Sequence, residues 1–211
     1  MTNIVKNLVI AGWTGRDRDK VEGHIRELAA LGVTPPTRTP VFYRVSASLL
    51  TCGDSIQVLG CHSSGEAEVV LIQDGPKLLV GLGSDHTDRK AEAVGVALSK
   101  QMCSKVLAPT TWDFDAVERH WAELVLSSRI IENGNAVPYQ NGTLANILRP
   151  RELMSRYASD GLRDGTAMFC GTVPAIGGVR WSPRFTMELR DPVLNRSITH
   201  TYRIEALPVE S

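Results

Sequence analysis

Residues 41–80 constrain the fold most. Short apolar runs alternate there with turns rich in glycine and aspartate, a pattern that excludes an all-helical bundle. Residues 41–45, 55–59, 67–72 and 78–80 each have the length of a strand. Gln73-Asp74-Gly75-Pro76 reads as the hairpin connection between the last two. Before this region, residues 7–12 read as a short buried strand and residues 17–31 as a helix. Val21, Ile25, Leu28 and Leu31 follow helical spacing in that helix, and Gly32 is its stop. Residues 34–40 contain three prolines and form a turn-rich linker that no helix can cross.

The later chain continues the theme. Residues 90–105 read as a helix, with Ala91, Val94, Ala97 and Leu98 on one side. From Trp121 onward the pattern predicts mainly short strands and loops, with one helical turn near residues 152–157. Strands are predicted at 167–170, 184–189 and 199–206. The fold class is therefore α+β and β-rich, and 211 residues fit one domain.

Charge narrows the function classes. Lys plus Arg and Asp plus Glu both number 23, so no net field draws the chain to nucleic acid or an anionic membrane. An anionic substrate must then be held by local charges or by a metal. The four cysteines, Cys52, Cys61, Cys103 and Cys170, form no CxxC pair, which argues against a zinc ribbon or a thioredoxin-type site. Reduced thiols and a cytoplasmic location are the default expectation. No stretch approaches the roughly 20 apolar residues of a membrane span.

Four constellations can carry chemistry. Glu66 and Glu68 lie two apart on a predicted strand and so point the same way, just before an apolar run. Two neighbouring carboxylates repel unless a proton, a base or a cation joins them, and a hard divalent cation suits oxygen ligands. The plain alternative is a solvated edge strand. Gly83-Ser84-Asp85-His86-Thr87-Asp88-Arg89 follows an apolar strand and offers Asp85 as a third carboxylate; it also reads as a capping loop for the next helix. His24 and Glu27 are three apart on a helix, a spacing that fits a water-activating pair or an ordinary surface pair. Residues 164–174, followed by Gly177-Gly178, form a strand running into a glycine-rich loop whose backbone N–H groups can face a carboxylate.

The order of these motifs resembles the fumarylacetoacetate hydrolase superfamily over most of the chain. Gly15-Arg16 with His24 and Glu27 is similar to that family's opening motif. Val41-Phe42-Tyr43-Arg44 resembles its strand before a serine-rich turn, with Arg44 where a lysine is usual. Glu66-Ala67-Glu68 resembles its metal strand, and Gly83 to Arg89 its aspartate segment. Asn133-Gly134 with Gln140 and Thr143, and the Gly171-Thr172-Val173-Pro174 turn, match its last two motifs.

The resemblance implies a mixed β-roll with a few peripheral helices, usually a homodimer, with residues 1–40 as a lid subregion. It assigns Mg2+ or Mn2+ to Glu66, Glu68 and Asp85. It places His24 and Glu27 as the catalytic dyad, and Lys100 or Lys105 as the site lysine. Arg16, Arg44, Arg89, Gln140, Gly171 and Thr172 are the implied substrate contacts. The implied reaction is hydrolysis of a carbon–carbon bond in a 2-oxo acid or acylpyruvate through a metal-stabilised enolate. Decarboxylation, hydration or isomerisation on the same site are alternatives, as is a non-catalytic metabolite-binding protein.

Overall fold

A computed structural model describes residues 5–30 and 34–210, apart from the side chains of His24 and Leu28. The chain runs β1 (Asn7–Gly12), α1 (Arg18–Ala30), β2 (Val41–Val45), β3 (Leu50–Thr51), β4 (Ser55–Leu59), β5 (Ser63–Ser64), β6 (Ala67–Asp74) and β7 (Lys77–Ser84). It continues with β8 (Thr87–Asp88), α2 (Arg89–Glu92), α3 (Val96–Gln101), β9 (Lys105–Asp113), β10 (Val125–Glu132) and β11 (Asn135–Thr143). The last elements are α4 (Pro150–Tyr157), β12 (Thr166–Thr172), β13 (Arg184–Asp191) and β14 (Arg196–Leu207). The fold is β-rich, as the sequence predicts. No helix among the described residues is long and apolar enough to cross a membrane.

Two sheets carry the structure. A seven-stranded sheet has the order β2-β1-β12-β6-β7-β9-β3, and a five-stranded sheet the order β11-β10-β13-β14-β4. The small β5–β8 pair stands beside them. Strand β6 lies in the middle of the larger sheet and is covered on both faces. Its Val69 and Leu71 join the core shared with Leu126, Phe185 and Met187 of the second sheet, whereas Val70 and Ile72 join Leu8, Ile10, Leu107 and Phe169 on the other face. This double burial explains why residues 69–72 are uniformly apolar rather than alternating.

Several predicted strands end where the turn chemistry says they should. The β6–β7 hairpin turns at Gly75, whose φ of 54° requires a left-handed residue. Two expectations need correction. Residues 90–105 are not one helix: the chain breaks after Glu92, forms the six-residue α3, and enters β9 at Lys105. Gly95 interrupts the helical pattern, and the apolar run after Lys105 is buried as a strand between β7 and β3. After Trp121 the strands are also longer than predicted. Strands β10 and β11 form an antiparallel hairpin around Asn133-Gly134, with φ of 49° and 79°. Paired left-handed residues of this kind suit a right-twisted hairpin.

Candidate metal centre

The β6–β7 hairpin assembles the acidic cluster. Glu66 immediately precedes β6 and Glu68 lies in it, so both project to one face by the two-residue period. Register sets Glu68 opposite Gly83, and the Asp85 N–H donates to the Glu66 carbonyl at 3.0 Å. Any side chain at position 83 would collide with the Phe169 ring at 2.5 Å and the Val106 carbonyl at 2.9 Å, so the hairpin closes only with glycine there. One carboxylate oxygen from each of Glu66, Glu68 and Asp85 lies within 4.8 Å of the others. Asp85 is fully buried and Glu68 is 3% exposed, while Glu66 is half-buried.

Fixed cations surround the three carboxylates. Lys100, near the end of α3, donates to Asp85 Oδ2. Lys105, the first residue of β9, places its ammonium 3.0 Å from Asp85 Oδ1 and also donates to the His86 carbonyl. Asp85 Oδ1 nevertheless has no aligned hydrogen-bond donor, although it is buried. Arg89, at the start of α2, reaches Glu66 at 3.2 Å and Glu92 at 3.1 Å. Burial works against the Asp85 charge, but Lys100 and Lys105 overcome it and hold the carboxyl well below the usual range. For Glu68 the nearby Lys100 charge is not enough. Burial first, and then the neighbouring Asp85 charge, push its carboxyl well above the ordinary value. A buried carboxylate that resists ionisation beside two others is the donor set a hard divalent cation fits.

A second layer of contacts locks this geometry. Glu68 accepts the Gly171 N–H at 2.8 Å. Gly171 has a φ of 101°, and a side chain there would lie 1.9 Å from Thr14 Oγ1. The end of β12 therefore passes Thr14 closely enough to aim its N–H at Glu68 only because residue 171 is glycine. The Thr172 hydroxyl donates to the Ala67 carbonyl at 2.7 Å. Gln140, 2% exposed on β11, accepts from the Ala67 N–H and the Ser128 hydroxyl and donates to Thr172 Oγ1 and the Val173 carbonyl. All four of its ordinary hydrogen-bond positions are filled within the protein, so it ties β6 to the glycine loop and to the second sheet.

The remaining predicted residues lie elsewhere or are only partly described. Arg44 sits on the face of β2 opposite Tyr43 and hydrogen-bonds Asn7 at 2.8 Å and Tyr157 at 3.3 Å. Arg16 is exposed and donates to the Ala145 carbonyl at 3.1 Å. Helix α1 approaches the body at Val21, beside Gly15. Glu27 is on its exposed surface, and the His24 side chain lies outside the described residues.

The structure adds two residues to the centre. Tyr43 stands 5.8 Å from the Lys100 ammonium, measured to the ring centre. His86 is fully buried between the Tyr202 hydroxyl and the Ser63 hydroxyl, each at 2.9 Å. Burial, then the Lys105 and Arg89 charges, lower its pKa to about 3, which keeps the imidazole neutral and structural. No spacing pattern around Tyr43 or His86 signals these roles.

Comparison with known proteins agrees with this architecture. Residues 11–202 match the model of a family described as "Protein of unknown function (DUF2848)". No curated protein sequence matches the chain. A solved 2-keto-3-deoxyarabinonate dehydratase superposes with a TM-score of 0.71 at 14% identity, covering 98% of this chain and 75% of the other. A 2-keto-3-deoxy-D-arabinonate dehydratase complexed with magnesium and 2,5-dioxopentanoate gives 0.68 at 15% identity, with coverages of 97% and 74%. A yeast fumarylacetoacetate hydrolase family protein gives 0.66 at 16% identity, with coverages of 99% and 96%. At these identities the likeness shows a shared fold, that of the fumarylacetoacetate hydrolase family.

Proposed function

We propose, for a chain that belongs to the DUF2848 family and carries a fumarylacetoacetate hydrolase-like fold, that it is a divalent-metal-dependent enzyme acting on 2-oxo acids. The observation that carries this reading is the buried convergence of Glu66, Glu68 and Asp85 within 4.8 Å. Burying Glu68 and Asp85 beside Glu66 costs more than burying apolar side chains there, which supports a ligand for the three. A magnesium or manganese ion held there supplies a Lewis acid for the oxygen of a 2-oxo group. A solved structure of the same fold holds magnesium and a dioxo acid, which supports this choice of ligand class.

The chain's own residues then have separable tasks. The ammonium of Lys100, buried but next to the half-buried Tyr43, is placed to meet a substrate carboxylate or return a proton. Arg89 balances Glu66 and fixes its orientation. Gly171 gives its N–H to Glu68, so its task here is to position a ligand rather than to bind substrate. Gln140, with its hydrogen bonds filled, keeps the hairpin and the glycine loop in register.

Hydrolytic cleavage of a carbon–carbon bond is the first reading, with His24 and Glu27 of α1 activating water. Decarboxylation, dehydration or isomerisation is the second. One observation favours it: the Lys100 ammonium, on Asp85 and 5.8 Å from the centre of the Tyr43 ring, is placed to return a proton to an enolate. Assay of oxaloacetate and acylpyruvates with magnesium tests the proposal, and failure to turn over any 2-oxo acid would sink it. Comparing His24→Ala and Glu27→Gln with the wild type separates the two readings: hydrolysis is lost in both variants, whereas lyase chemistry survives. We take the working unit to be a homodimer, which light scattering tests by mass.

A further inference from the structure

Two lysines converge on one buried carboxylate, and their surroundings differ. Lys105 opens β9, where its backbone is held by Leu50 of β3, while the next residue, Val106, pairs with Ser84 of β7. Its side chain is 0% exposed. The ammonium spans Asp85 Oδ1 and the His86 carbonyl, so it grips the chain on both sides of the Asp85–His86 peptide link. Lys100 approaches the other oxygen from a six-residue helix, and its side chain retains 8% exposure beside Tyr43.

We propose that Lys105 is a positioning residue for the metal centre, acting through Asp85 and the His86 carbonyl, which leaves to Lys100 the substrate-facing role proposed above. The inference rests on the metal-dependent reading above and divides work that one lysine was expected to do. A sealed ammonium on a strand cannot reach a ligand without displacing Asp85. What it can do is fix where the Asp85 carboxylate points, and two contacts on adjacent residues fix a direction better than one. Lys100 comes from a short helix and has, among the described residues, no second partner holding its ammonium to the Asp85 segment, so it can leave Asp85 when a second anion arrives. The charges support this split. Glu66, Glu68, Asp85 and Glu92 face Arg89, Lys100 and Lys105, so three cations already stand at the cluster before any metal binds. Loading a divalent cation adds two positive charges, and Lys100 is the one positioned to turn toward an incoming anion.

The experiment uses magnesium alone, and then oxalate as a two-carboxylate probe of the magnesium-saturated protein, both by calorimetry. The variants are Lys105→Met and Lys100→Met, with Lys105→Gln as the form that keeps a donor if the methionine variant does not fold. Lys105 replacement is expected to weaken magnesium binding at least about tenfold and leave oxalate affinity, at magnesium saturation, within about twofold. Lys100→Met is expected to leave magnesium affinity unchanged or tighter and to weaken oxalate about tenfold. A purely structural Lys105 would lower the melting temperature without changing magnesium affinity, and that result overturns the proposal. So does a loss of oxalate rather than magnesium affinity on replacing Lys105. Wild-type protein that binds no magnesium overturns the metal reading itself and this division with it, an outcome distinct from either reversal.

Discussion

Replacing Glu68 with glutamine separates a metal ligand from a structural acid. The side chain is 3% exposed, accepts one N–H from Gly171 at 2.8 Å, and sits against Asp85 and Glu66. Glutamine keeps the volume and can present its carbonyl oxygen to the same N–H. The charge-assisted bond becomes a neutral one, a loss of about 1 kcal/mol. Against this, the burial and the Asp85 repulsion that oppose a charge on Glu68 are relieved in the variant. The metal-free variant should therefore stay within about 1 kcal/mol of wild type, or about 2–4 °C in melting temperature. With magnesium at about a hundredfold above its Kd, wild type gains about 2.7 kcal/mol, or about 5–11 °C. If the variant binds about a hundredfold more weakly, the same magnesium adds only about 0.4 kcal/mol, or about 1–2 °C. Differential scanning fluorimetry with a magnesium titration reads both numbers. The reasoning is refuted if Glu68→Gln keeps the full magnesium shift, or if it loses more stability without magnesium than wild type gains with it.

Three further outcomes follow from particular contacts. Gln140→Ala removes four hydrogen bonds in a buried position and leaves the Ala67 N–H without its partner, so urea denaturation should show a loss of about 2–4 kcal/mol together with weaker magnesium binding. Gly171→Ala places a methyl group 1.9 Å from Thr14 Oγ1 at a φ of 101°, and should lower the melting temperature by several degrees, whereas alanine at the open Gly161 should cost less. Asp191 is buried; burial opposes its charge, but the Leu194 N–H, His120 and Arg196 prevail and hold its pKa below the ordinary carboxylate value. A depressed carboxylate contributes stability above its unfolded pKa of about 3.9 and loses it as pH falls through the lower folded value. Asp191→Asn should thus lower stability at pH 7 and flatten the acid limb of a stability profile; an unchanged acid limb would count against this.

What the sequence revealed depended on how local the determining physics was. Strands β1, β2 and β4 have the predicted ends because apolar runs and turn residues lie side by side in the chain. Glu66 and Glu68 were legible because strand alternation alone makes them neighbours. Asp85 needed only the hairpin that Gly75 announces. The segment 90–105 misled because its alanines and leucines keep helical spacing, while the tertiary pairing of β9 with β7 and β3 takes Lys105 into a strand. The β10–β11 hairpin is encoded locally, by Asn133-Gly134 between strand-forming runs. Arg44 shows how a one-residue parity matters: Tyr43 faces the Lys100 side, and Arg44 faces away. The paired lysines on Asp85 and the committed state of Gln140 arise from contacts among distant segments, which no spacing along the chain encodes.

The central claim is that one divalent cation sits among Glu66, Glu68 and Asp85. Crystals grown with manganese, measured at a wavelength where manganese scatters anomalously, locate that ion directly. A single strong anomalous peak is expected within coordination distance of all three carboxylates, absent in Glu66→Gln/Glu68→Gln crystals treated identically. No peak at the cluster, or a peak that persists in the double variant, would contradict it.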